Sequence, residues 1–186
     1  MDALDLLLTR ETALKLDAPG PSQADLDAMF QSAVRAPDHG RLRPWHFVVI
    51  DTDRRAAFGE LMAQSMRRRM PDAAEEMLDR ERAKAMRAPT IVVTAAKVNK
   101  SAKISAFEQI ASAAAATQTL LLAANAKGFG AMWKTGDAAY DPDVKVALGL
   151  AADDEILGFL YVGTNVGGTS PIPRPEAAKY VSVWQG

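Results

Sequence analysis

The residues best suited to bind a ligand lie in three short stretches. The richest is Ala36-Pro37-Asp38-His39-Gly40-Arg41-Leu42-Arg43-Pro44-Trp45-His46-Phe47-Val48-Val49, a proline-bracketed turn with Arg and His between the end of a helix and a β-branched strand. That layout holds cationic and hydrogen-bonding side chains beside a rigid edge, as recognition of a polar, planar or phosphorylated ligand requires. Arg10 and Arg35 upstream, and Gly128-Phe129-Gly130-Ala131-Met132-Trp133-Lys134-Thr135 late in the chain, have the same character.

Local signals predict the elements that must position these residues. Leu4, Leu6, Leu7 and Leu8 make a short apolar helix ending near Thr9-Arg10, and Pro19-Gly20-Pro21 is a firm break. Ser22 is a good N-cap for a helix with Leu26, Met29, Phe30, Ala33 and Val34 on one face. That helix must stop before Pro37. Residues 45–50 read as a buried strand and 90–96 as a second one. Residues 54–88 are charged and helical, interrupted at Pro71. Arg67-Arg68-Arg69 is followed by Asp72, Glu75, Glu76 and Asp79, which favours solvated helices over a phosphate-binding patch. Gly128 ends the longest helical pattern, over 105–127, as a C′ residue. A short strand follows over 129–133, a helix begins at Asp141-Pro142, and a last apolar strand covers 155–162.

Strands alternating with helices predict an α/β or α+β sheet layered with helices. No repeat or long linker divides the chain, so residues 1–186 are expected to form a single domain. The stretch 111–117 is small on every face, which lets another helix approach closely. Two readings stay open: a core helix within one subunit, or one that also lines a homodimer interface.

Composition removes several classes of function. The 186 residues carry 22 Lys plus Arg against 23 Asp plus Glu, a net charge of −1 that offers no global attraction for nucleic acid or an anionic membrane. With no Cys, disulfides, thiol nucleophiles and Cys-ligated metal centres are excluded. The N-terminus is acidic where a signal peptide would be basic, and no apolar run nears the roughly 20 residues of a spanning helix. A cytoplasmic protein is the expectation.

Other motifs fail on context. In the Gly128 segment Trp133 occupies the third glycine position of a dinucleotide fingerprint, and the segment follows a helix instead of a strand. Lys134-Thr135 lacks the glycine and the following helix of a phosphate loop. His39 and His46 are the only histidines and lack a third ligand with sensible spacing, so no metal site is expected. No Gly-x-Ser-x-Gly elbow is present.

Taken in order, the remaining blocks resemble the nitroreductase family of flavin enzymes, in particular its small bacterial NAD(P)H branch. Arg10-Glu11-Thr12 is similar to a family Arg-Arg-Ser. Val34-Arg35-Ala36-Pro37-Asp38-His39 through Pro44-Trp45-His46-Phe47-Val48 is similar to an Ala-Pro-Ser/Asp…Gln-Pro-Trp-x-Phe-Val block. Lys127 to Gly136 and Gly158-Phe159-Leu160-Tyr161-Val162-Gly163 complete the likeness, which runs from Met1 to about Thr164. It implies an α+β fold with a central, mostly antiparallel sheet flanked by helices. It implies a homodimer with one FMN per subunit at the interface, and ping-pong hydride transfer from NAD(P)H through the flavin to a nitroaromatic or quinone-like small-molecule acceptor.

Carried across by motif, Arg10, Glu11 and Thr12 would lie along the ribityl phosphate. Arg35 and His39 would approach the flavin, one of them from the partner subunit. Trp133, Lys134 and Thr135 would border the cofactor, and Arg174 resembles a C-terminal phosphate-binding Arg of larger relatives. Glu11 replaces a usual basic residue, which leaves its backbone as the donor. Leu14 is apolar where many relatives place a cation aimed at the ring, with Lys15 a near match, and Arg43 stands where Gln is common. The same fold serves dehalogenation, ring-forming oxidation and flavin destruction, and a non-catalytic binding protein is a third reading. Each residue also has a blander role: Arg10 and Arg35 as cations at helix C-termini, His39 as a cap of its own loop, Trp45 and Trp133 as core.

Overall fold

The computed structural model describes residues 2–169 and 173–186. Among them the helices are α1 (Ala3–Thr9), α2 (Gln23–Ala33), α3 (Arg55–Arg69), α4 (Glu75–Lys84), α5 (Ala106–Ala126) and α6 (Pro142–Ala147). The strands are β1 (Leu16–Asp17), β2 (Trp45–Ile50), β3 (Thr90–Ala96), β4 (Gly130–Lys134) and β5 (Glu155–Asn165). β5 is the hub: β3 pairs with one edge and β4 with the other, β2 extends the sheet beyond β3, and β1 pairs the end of β5 at Asn165 and Thr164. Every one of these pairings is antiparallel, which decides for α+β over α/β.

The period of two along the central strands divides the core. Ile91, Val93, Phe159 and Tyr161 join Phe58 and Met62 of α3 on one face. Val92, Leu160 and Val162 join Leu26 and Met29 of α2 and Leu120 of α5 on the other. Burying each such side chain contributes about 1.5–3 kcal/mol. β2, expected to be buried, is half-buried over residues 45–49 because it lies at the edge and pairs only with β3 among the described residues. β1, two residues long, is too short to show a period and was not foreseen from the sequence.

Capping explains the helix starts. Ser22 Oγ accepts from the Asp25 N–H at 3.2 Å while Asp25 Oδ2 accepts from the Ser22 N–H at 3.0 Å, a complete capping box. Those bonds from Ser22, with Lys127 at 3.0 Å, push the Asp25 carboxyl down to about 2. Ser105 caps α5, and Asp141 caps α6 with Pro142 at its first position. Gly128 closes α5 at φ +86°, a left-handed angle that suits glycine. The three arginines ending α3 are largely tied down rather than free in solvent. Arg67 pairs with Glu75, Arg68 with Asp141 and Asp143, and Arg69 with Asp137.

α5 spans 21 residues, about 31 Å at 1.5 Å per residue. Ala113, Ala116, Leu120 and Ala124 are buried on its inner face, while Phe107 near its start is 78% exposed. α1 buries none of its residues. Among the described residues no helix is long and apolar enough to cross a membrane.

Candidate functional site

α1 ends because Arg10 turns extended, at φ −54° and ψ 125°. The chain then runs beside β4. The Ala13 N–H donates to the Ala131 carbonyl at 3.2 Å, the Leu14 N–H to the Gly168 carbonyl at 3.1 Å, and the Val166 N–H to the Lys15 carbonyl at 3.1 Å. Arg10, Glu11 and Thr12 are half-buried at the start of this segment. From the far end of the sequence, Arg174 Nη2 donates to the Arg10 carbonyl at 2.6 Å. Ile172, two positions before it, lies outside the described residues.

Arg10 and Glu11 line a cavity of about 210 Å³ whose opposite wall includes Asn125 and Gly130. Asn125 donates through Nδ2 to the Phe129 carbonyl at 3.0 Å, but its buried Oδ1 has no partner among the described residues. An orphaned acceptor of this kind costs about 1–3 kcal/mol until a donor reaches it.

Lys134, at the end of β4, lines a second cavity of about 370 Å³ together with Leu14, Lys15, Met86, Arg87 and Met132. Trp133 points to the other face of the strand, where it packs against the α2 and α5 cluster and its indole N–H donates to the Leu157 carbonyl at 3.0 Å. Gly158 makes room for it: a Cβ there would lie 2.4 Å from the indole nitrogen. Thr135 is exposed just beyond the strand. Met86, Arg87 and Asn125 were not singled out from the sequence. The first two sit just past α4 and carry no local motif, and only the packing of α4 and β3 brings them to Lys15 and Lys134.

Arg35 and His39 belong to a different neighbourhood. Arg35 follows α2 and is exposed. His39 Nδ1 lies 2.6 Å from Glu108 Oε2 in the first turn of α5, and this contact, with help from Ser105, holds the Glu108 carboxyl below the usual range. Ser112 Oγ pins the turn by accepting from Trp45 Nε1 at 3.0 Å and donating to the Pro37 carbonyl at 2.7 Å. The Asp38 carboxylate accepts from the N–H groups of Leu42 and Arg43. Those bonds stabilise a backbone that is left-handed at Arg41 (φ +57°) and Arg43 (φ +51°), the kind of strain that collects at functional turns. Arg43 itself is exposed. Along α5, Glu108 and Asn125 are 17 positions apart, about 25 Å at 1.5 Å per residue. The Arg10 group and the His39 group therefore sit at opposite ends of one helix.

The family model described as the Nitroreductase family matches residues 7–164. The chain belongs to the nitroreductase family. It is 35% identical over 183 residues to the Escherichia coli K12 protein named "Putative NAD(P)H nitroreductase YdjA", covering 98% of this chain and 99% of that one. A nitroreductase-like family protein from Bacillus cereus shares the fold at a TM-score of 0.85 and 20% identity, with 100% of this chain and 97% of that chain covered. A nitroreductase with bound FMN from Bacteroides fragilis matches at a TM-score of 0.75 and 18% identity, with both chains covered in full. The α+β sheet flanked by helices is thus the nitroreductase fold.

In this nitroreductase-family chain a further cavity of about 480 Å³ lies elsewhere, between the end of α3 and residues 137–143. There Arg68 faces Asp141 at 3.0 Å and Asp143 at 2.9 Å, and Arg69 faces Asp137 at 2.6 Å. Both cations are already paired, against three carboxylates, so this cavity has the chemistry of a structural clasp. Among the described residues the cavity holding Lys134 is lined by cations without a carboxylate, and the one holding Arg10 and Glu11 keeps the unpaired Asn125 acceptor, as a ligand site does.

Proposed function

We propose that this chain is an FMN-dependent NAD(P)H oxidoreductase of the cytoplasm that reduces nitroaromatic or quinone-like acceptors. It would act as a homodimer with FMN at the subunit interface, residues 1–186 forming one domain. Bound FMN would supply the redox chemistry, two-electron transfer between NAD(P)H and the acceptor in ping-pong fashion.

The observation that carries this reading is the gathering of Arg10, Lys15, Lys134 and Arg174 along the edge of β4. Their chemistry fits FMN. A phosphate dianion is met by guanidinium forks and hydroxyls, which Arg10, Arg174 and Thr12 offer, with the Glu11 backbone N–H as a further donor. Asn125 Oδ1 offers the ribityl hydroxyls an acceptor that is unpaired among the described residues. Leu14, Met86 and Met132 supply apolar surface for a planar ring, and Lys134 and Thr135 border it. Trp133, its indole committed to Leu157, borders the cofactor through its backbone.

His39, tied to Glu108 at the start of α5, lies too far from Asn125 to reach the cofactor held by its own Arg10. In the dimer His39 serves the flavin bound by the partner, and Arg35 approaches a flavin as well. No protein acid or base is assigned: the chain binds, orients and tunes.

The test is direct. Protein reconstituted with FMN should be yellow, bleach anaerobically with NADH or NADPH, and regain colour with a nitroaromatic or quinone. Arg10→Ala should weaken FMN binding on the order of 10–100-fold, the worth of a charge-assisted hydrogen bond. Protein that takes up no FMN ends the proposal.

A further inference from the structure

Every polar side chain lining the cavity beside β4 is cationic. Lys15 enters it from the N-terminal segment, Lys134 from the end of β4, and Arg87 from the connection between α4 and β3. No carboxylate lines it, and none of the three cations forms an ion pair with a carboxylate of the described residues. In a chain whose net charge is −1, three uncompensated positive charges around about 370 Å³ are a local excess with a definite sign. Such a wall focuses a field that favours added negative charge. The charge of Arg87 is also felt at the buried Tyr161: burial raises that phenol, and Arg87 opposes the rise.

We propose that Arg87 is a specificity-determining residue for the redox state of the cofactor. With Lys15 and Lys134 it makes the site bind two-electron-reduced FMN more tightly than oxidised FMN. The inference rests on the FMN reading above. A hydride from NAD(P)H delivers two electrons and one proton, so FMN that accepts it carries one more negative charge than before. NAD(P)H is oxidised to NAD(P)⁺ in the same step. The cationic wall stabilises that added charge and does little for the uncharged oxidised ring. One cation roughly 10 Å away, at an effective dielectric of about 20, changes such a preference on the order of tenfold.

The experiment measures FMN affinity in both redox states for the wild-type chain, Arg87→Gln and Arg87→Lys. Oxidised FMN is titrated in air. FMN kept reduced with excess dithionite is titrated anaerobically, by ultrafiltration of free flavin. For Arg87→Gln the preference for reduced over oxidised FMN should fall about tenfold, which is a midpoint lower by about 30 mV for a two-electron couple. Oxidised-FMN affinity should change by less than about threefold, and Arg87→Lys should keep the wild-type preference to within about threefold. A preference unchanged in Arg87→Gln overturns the inference while leaving FMN binding intact. So does a parallel loss of affinity for both states, which would mark Arg87 as a general support of the cavity. Wild-type protein that binds neither form overturns the proposed function as well, and is a distinct result.

Discussion

Ser112→Ala is the perturbation that best separates the role of α5 as a scaffold from its role as a core helix. Ser112 is buried at 7% exposure, and its hydroxyl adds two bonds to the Glu108–His39 contact: it accepts from Trp45 Nε1 and donates to the Pro37 carbonyl. Removing it forfeits two hydrogen bonds of about 1 kcal/mol each and leaves a half-buried indole N–H short of a partner, which adds up to about 1 kcal/mol. Alanine's better helix propensity returns about 0.5 kcal/mol. The net is a loss of about 2 kcal/mol. With a urea slope of about 2 kcal/mol per molar, the unfolding midpoint should fall by about 1 M. Thr119→Ala is the control, because its hydroxyl bonds only to the Ala115 carbonyl of its own helix, and it should shift the midpoint by less than about 0.25 M. Equal midpoints for wild type and Ser112→Ala, followed by tryptophan fluorescence and by circular dichroism, would refute the claim that these two bonds hold the turn.

Two more perturbations test other levels of the argument. Glu108 is held below the ordinary carboxylate range by the His39 contact first and Ser105 after it. Its contribution to stability is therefore present above the unfolded carboxylate value and lost as pH falls through the lowered folded value. Urea midpoints measured from about pH 6 to about pH 3 should decline less in Glu108→Gln than in wild type, and parallel declines would refute this linkage. Phe159→Ala empties a site that is 1% exposed, where the ring meets Phe58 edge-on at 5.6 Å between centroids. It should cost about 3–5 kcal/mol in the same denaturation assay.

Much of this molecule was legible in its sequence because the signals were local. Ser22, Ser105 and Asp141-Pro142 mark helix starts by capping chemistry, and Gly128 marks an end by its left-handed angle. The order of the Arg10, Arg35–Val48 and Gly128–Gly136 blocks carried the family. What stayed hidden depends on tertiary placement. The two residues of β1 are too few to show a period. The half-exposure of β2 follows from its position at the edge, which its own Trp45–Ile50 run does not encode. Met86 and Arg87 look like an ordinary helix end until β3 carries them beside Lys134. Asn125 reads as one more helical residue, and only its lack of a donor distinguishes it.

The geometry of α5 also limits how such a chain can change length. Both groups hang from one rigid rod, so a residue inserted between Glu108 and Asn125 would swing one of them about 100° around the axis and shift it by about 1.5 Å relative to the other. The backbone bonds of the 70–74 connection between α3 and α4 stay within residues 66–78 among the described residues, so it could lengthen without consequence for either group. Insertions and deletions should therefore be tolerated there and punished in the rod.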